Sequence, residues 1–163
     1  MYSLKKLVKL SIFFSTFLLC IPIIKDIKLT EKVDSIVNGK KENSIYEGYI
    51  YIPKFEYKSL IKKDKNALDE NLVQMPNFSD NIGGNNIVLA GHNNKYVFHK
   101  IYYLEQGDEI IISNFNTDYR YIVNKTKYIY VNDYDSLHNE DSITLMTCTN
   151  NNQERYIVIA KRE

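Results

Sequence analysis

Tryptophan is absent from this 163-residue chain, cysteine occurs twice, proline three times and glycine six times. So little proline and glycine excludes a polyproline, collagen-like or linker-like chain. Two cysteines cannot build a disulfide framework, so a domain of this size has to stand on its hydrophobic core. An excess of charge of one sign is missing as well. The 21 basic and 20 acidic side chains leave a formal net charge of +1, and no Lys/Arg cluster occurs beyond the N-terminus, so there is no electrostatic case for nucleic acid. What the chain has is apolar and aromatic material, 44% hydrophobic residues with 14 tyrosines, enough for one domain with a core plus an appendage.

The appendage is N-terminal. Lys5, Lys6 and Lys9 precede an uncharged run from Leu10 to Ile24, and Lys25 closes it. The run is short for a spanning helix of roughly 17–25 residues, but Leu7 and Val8, with Lys9 snorkelling, bring it into range. It has no polar face, and no small-x-small cleavage site precedes Lys25. The expectation is an uncleaved single-pass anchor over 1–25, N-terminus cytoplasmic and the domain extracellular. Cys20 lies inside this run, which sets aside a disulfide with Cys148 and leaves Cys148 a free thiol. Residues 26–43 are polar, with Ile27, Leu29, Val33, Ile36 and Val37 at near-helical spacing, and are expected to form a stalk or linker.

From 44 to 163 the pattern is mostly β. Residues 46–52 alternate and stop at Pro53, 55–61 continue as a second strand, and 87–90 form a short apolar strand. Residues 107–112 follow a turn; 119–123 and 127–131 alternate on either side of an expected bend at 124–126. Ile143 to Cys148 and Arg155 to Ala160 make a hairpin across the polar loop 149–154. Short helices are expected over 67–73 and 97–101. Seven or eight short strands at this spacing suggest a closed barrel.

Two residues carry chemical interest by position. Cys148 ends one strand of the hairpin and Arg155 begins the other. A thiol attacks as thiolate, and with a reference pKa of about 8.5 it needs a neighbouring cation or base. A guanidinium across the hairpin mouth supplies charge and steadies a carbonyl oxygen as it becomes negative. The proton partner has to come from elsewhere. His92, directly after the apolar 87–90 strand, sits where a rigid sheet presents side chains to a cleft, although a turn histidine with no role is the plainer reading of that segment alone. His99 reads as packing on the sheet and His138 as surface. Thr147 is either a substrate contact or an ordinary strand residue.

These segments resemble the sortases, membrane-anchored cysteine transpeptidases of Gram-positive bacteria. Thr144-Leu145-Met146-Thr147-Cys148 is similar to their TLxTC signature, and Gly91-His92-Asn93 to their histidine segment. Arg155 falls where their arginine stands. Leu104-Glu105-Gln106-Gly107-Asp108 resembles the L..GD run after that histidine, and Ile52-Pro53-Lys54 their first strand. The resemblance runs from Tyr46 to the C-terminus, and the basic-plus-apolar N-terminus fits the family's anchor.

It implies that Cys148 attacks the Thr–Gly bond of a surface-protein sorting signal such as LPxTG, giving a thioacyl enzyme. His92 protonates the departing amine and later takes a proton from the incoming one, Arg155 steadies the oxyanion, and a cell-wall precursor or pilin amine accepts the acyl group. Among sortase types it implies a compact class A or class D protein, because no second membrane helix follows Arg162 and Glu163, no lid motif appears in 26–43, and the 149–154 loop is short. No cofactor is required. Asp133, Asp135, Glu140 and Asp141 offer hard oxygen ligands for calcium, as in some sortases, but without fixed spacing, and a solvated acidic loop is the plainer reading. A thiol hydrolase of the same signal and a non-enzymatic, membrane-tethered binding barrel are the rival functions.

Overall fold

The structure is a computed structural model and describes residues 34–35, 46–63, 73–151 and 153–163. The anchor expected over 1–25, all but Asp34 and Ser35 of the 26–43 linker, and all but Val73 of the helix expected over 67–73 lie outside the described residues. Among the described residues no helix is long and apolar enough to cross a membrane.

Among the described residues eight strands are formed: β1 (Gly48–Ile52), β2 (Tyr57–Lys62), β3 (Val73–Gln74), β4 (Asn86–Gly91), β5 (Glu109–Ser113), β6 (Asp118–Tyr130), β7 (Ser142–Cys148) and β8 (Glu154–Arg162). They are hydrogen-bonded in the order β1-β2-β3-β4-β7-β8-β6-β5, and β5 returns to β1 to close a barrel. Most neighbours are antiparallel. The parallel pairs are β2 with β3 and β4 with β7. The mostly β barrel expected from the sequence is therefore the fold of the described chain.

Alternation along the strands sorts side chains into two clusters. Ile87 and Leu89 of β4, Ile143 and Leu145 of β7, and Val158 and Ala160 of β8 point inward with Ile50, Ile112 and Tyr121 to fill the barrel. Each fully buried isoleucine or leucine contributes about 1.5–3 kcal/mol relative to exposure. The intervening residues point outward. Val88, Ile157 and Ile159 join Ile129, Leu137 and the half-buried Met146 in a second cluster on the outside wall, covered by the connection from β6 to β7. That connection carries a short 3-10 turn, Asp135–Leu137.

Two expectations are corrected. Residues 119–123 and 127–131 are not two strands but one thirteen-residue strand, β6, which pairs with β5 through its first half and with β8 along most of its length. The register slips between Val123 and Lys125, so Asn124 is an extra residue, a bulge rather than a bend. Because side chains alternate with period two, one inserted residue exchanges inner for outer positions. Val123 opposes Ala160 and faces the core, whereas Ile129, an even number of residues later, opposes Arg155 and faces outward. Val73, expected to end a helix, instead opens β3 beside Ile61 of β2. It is fully buried, and a two-residue strand is too short to display a period.

Gly91, the last residue of β4, faces inward. A Cβ built there lies 2.7 Å from Val97 and 2.7 Å from Phe98, both buried in the core. Neither is a flexible tip, so Gly91→Ala is expected to overpack this end of the barrel by about 1–3 kcal/mol. Denaturant unfolding checks it, as a lowered midpoint with an unchanged slope.

Candidate active site at the ends of β4, β7 and β8

The antiparallel register places Cys148 directly opposite Arg155. Both belong to the outward-facing set, with Met146 on β7 and Ile157 on β8, so the sulfur and the guanidinium stem rise from the same face of adjacent strands. On the other side of β7, the parallel register pairs Gly91 with Thr147. His92 therefore leaves β4 level with Cys148, and alternation from Val88 and Ala90 turns it to that same outer face. Three residues separated by 56 and 7 positions in the chain (148 − 92; 155 − 148) are brought to one edge of one wall. His92 and Cys148 are exposed, Arg155 is half-buried, and Cys148 is a free thiol.

All three line a single groove of about 330 Å³. Its other walls are mainly apolar: Pro76, Phe78, Ile129, Val131, Leu137 and Met146. Two of these depend on the β6 bulge, since without the extra residue Ile129 and Val131 would face the other side of the sheet. Phe78 meets Tyr134 edge-on at 6.0 Å at the groove's rim.

Thr147, expected either as a substrate contact or as an ordinary strand residue, also lines this groove. It is buried, and its hydroxyl donates to the Gly91 carbonyl at 2.8 Å. That bond ties the ends of β7 and β4 together one residue before Cys148 and His92, so the hydroxyl fixes the spacing of those two residues. His99 is exposed, with Nδ1 3.1 Å from the Asn93 side-chain oxygen. His138 is exposed, with Nδ1 3.0 Å from the Tyr134 carbonyl.

Tyr102 is the residue that the sequence did not single out. It sits on the 3-10 helix His99–Tyr103, where its ring stacks on Tyr156 at 4.5 Å and its hydroxyl donates to the Cys148 carbonyl at 3.0 Å. Burial first, then the neighbouring Tyr128, Cys148 and Tyr156, push its phenol above the ordinary value, so it stays a donor through neutral pH. No short-range pattern marks a contact between residues 46 positions apart. Tyr102→Phe keeps the stack and removes the donor. It is expected to lower kcat/KM about two- to tenfold, the scale of one net hydrogen bond, with little change in melting temperature. Steady-state kinetics beside a melting curve separates the two.

The acidic loop weighed for calcium is partly occupied by internal bonds. The Ser136 hydroxyl and amide donate to Asp133 at 2.6 and 3.1 Å, holding its carboxyl below the usual aspartate value. Arg162 reaches Asp141 at 3.5 Å. Among the described residues no group of three or more histidine, cysteine or acidic side chains gathers to hold a metal ion.

A thiol, an imidazole and a guanidinium at one edge of a barrel, beside a mainly apolar groove, suit acyl transfer through a covalent thioester. Comparison with known proteins agrees. A family model described as a sortase domain matches residues 50–163, and the chain belongs to the sortase family. Among solved structures it is similar to sortase C1 from Streptococcus agalactiae, at 26% identity and a TM-score of 0.66, covering 75% of this chain and 69% of that one. It is similar to a sortase D5 transpeptidase from Clostridium perfringens at 28% identity and a TM-score of 0.66, covering 82% and 94% of the two chains. Listeria monocytogenes sortase A shares the fold at 24% identity and a TM-score of 0.65, over 73% of this chain and 88% of the other. No protein of curated function matches the chain. The chain is thus a sortase transpeptidase.

Proposed function

We propose that this sortase cleaves an LPxTG-like sorting signal between Thr and Gly and transfers the surface protein to a cell-wall or pilin amine. The Cys148 sulfur attacks the threonine carbonyl carbon, and the oxyanion that develops faces the Arg155 guanidinium. The C–N bond breaks as His92 gives its proton to the departing glycine amine, leaving a thioester on Cys148. An incoming amine then gives a proton to His92, forms the new amide and expels the sulfur.

The observation that carries this reading is the register: Cys148 opposite Arg155, and His92 one step beyond the Gly91–Thr147 pair, all on the outer face. The apolar groove beside them suits the leucine and proline of such a signal. The chemistry needs no cofactor. An anchor over 1–25 would hold the domain outside the membrane, where surface proteins emerge. A compact class D type is favoured within the family, supported by the 94% coverage of the Clostridium perfringens enzyme and the short β7–β8 loop.

Product analysis with an LPxTG peptide tests it. Added amine is expected to divert the acyl fragment ending in threonine from the free acid to the amide. Cleavage at another bond would overturn the substrate, and free acid alone at saturating amine would favour a hydrolase.

A further inference from the structure

One wall of the apolar groove is the β6–β7 connection, which contributes Asp133, Tyr134 and Leu137 beside Ile129 of β6. One of these is a carboxylate, and a carboxylate among apolar walls is costly unless it is paired. Its partner is Lys127. The β6 bulge turns Lys127 to the outer face with Ile129, opposite Ile157 of β8, where it is half-buried. Its ammonium donates to the Ser136 hydroxyl at 2.7 Å, and that hydroxyl donates to Asp133 Oδ2 at 2.6 Å.

The order of donors in this relay is forced. An ammonium cannot accept and an ionised carboxylate cannot donate, so the hydroxyl takes from one and gives to the other. Asp133 stays ionised because the Ser136 hydroxyl and amide, and then the Lys127 charge, hold its carboxyl below the usual aspartate value. Ser136 is tied through its carbonyl as well, which accepts from the Asn139 side-chain amide at 3.1 Å, and the Asn139 backbone N–H donates to the Asn86 side-chain oxygen at 3.0 Å. The connection is thus fastened to β6 through Lys127 and to the start of β4 through Asn86, and Tyr134 and Leu137 lie between the fastened positions.

We infer that Lys127, Ser136 and Asp133 form a clamp that sets the fit of the groove to the sorting signal, as positioning residues that act through Tyr134 and Leu137 and take no part in the chemistry. The inference rests on the sorting-signal reading of the groove and deepens it by naming what governs the choice of side chain. With the clamp closed, Tyr134 and Leu137 have one placement and the Asp133 charge is matched. With it open, the carboxylate is released beside the apolar walls, and the connection has to be ordered again each time a peptide enters. That ordering weighs alike on the bound peptide and on the transition state, so its loss raises KM and leaves kcat. It also blurs the choice among apolar side chains, because a wall without a fixed position cannot favour one close fit.

Two variants of the full chain in detergent test it beside the unsubstituted chain. Lys127→Met keeps most of the stem and removes the ammonium, and Lys127→Arg keeps a cationic donor. Hydrogen exchange of the amides over 132–138 needs no peptide, and in Lys127→Met it is expected to run about fivefold faster, the scale of one net hydrogen bond. Kinetics then use an LPxTG peptide and one with alanine in place of the leucine. Lys127→Met is expected to raise KM for the LPxTG peptide about fivefold at unaltered kcat and to lower the preference for leucine over alanine at least about twofold, whereas Lys127→Arg retains both. Unaltered exchange in Lys127→Met overturns the clamp. Faster exchange with KM and preference unaltered, or with kcat falling instead, overturns its role in selection. If the unsubstituted chain leaves the LPxTG peptide uncleaved, the sorting-signal reading falls and the selection role with it, while the exchange result alone decides the clamp.

Discussion

Replacing Cys148 with alanine is expected to abolish the thioacyl enzyme and to lower peptide transfer by at least about 10⁴-fold, as removal of a covalent nucleophile does. The fold is expected to survive. Cys148 is exposed at the last position of β7, and its neighbourhood is held by contacts the sulfur does not make. These are the Thr147 hydroxyl on Gly91, the Tyr102 hydroxyl on the Cys148 carbonyl, and the backbone pairing with Arg155. An exposed substitution of this kind changes stability by no more than about 0.5 kcal/mol. Activity and melting temperature measured on one preparation therefore separate a chemical role from a packing role. A core thiol with no chemistry would give the reverse: activity kept and stability lost.

Arg155→Ala is expected to lower kcat/KM by about 10²–10³, mostly through kcat, as removal of one preorganised oxyanion donor does. The geometric reason is the cross-strand pairing with Cys148 on the outer face, which brings the guanidinium to the groove that holds the sulfur. Arg155→Lys keeps the charge but loses the planar fork of donors and is expected to recover only part of the rate. Parallel kinetics on both variants checks this. A rise in KM with kcat intact would make Arg155 a substrate-binding residue that does not stabilise the transition state.

The hairpin was legible because its two halves are β-branched and apolar and a polar loop separates them, so the pairing of the Cys148 and Arg155 ends followed from the pattern. His92 was legible as a residue at a strand end. Its position level with Cys148 was not, because parallel pairing of β4 with β7 is a long-range event with no local signature. The β6 bulge is not legible in the sequence, for a physical reason. Asn124-Lys125-Thr126 is polar enough for a bend, and a bulge announces itself only by what it opposes on the partner strand. The consequence reaches the site, since the bulge puts Ile129 in the wall of the apolar groove. Tyr102 was illegible for a related reason. Its meaning depends on a stack with Tyr156 and on a bond to the Cys148 carbonyl far along the chain.

The central claim is that the Cys148 sulfur becomes acylated by a sorting signal, and intact-mass measurement of the full chain shortly after mixing with an LPxTG peptide tests it most directly. The account predicts a mass increase equal to the peptide fragment ending at threonine less one water, lost on adding hydroxylamine and mapped by proteolysis to the peptide carrying Cys148. Cleavage of the peptide with no adduct on Cys148, or with an equal rate in Cys148→Ala, would contradict it.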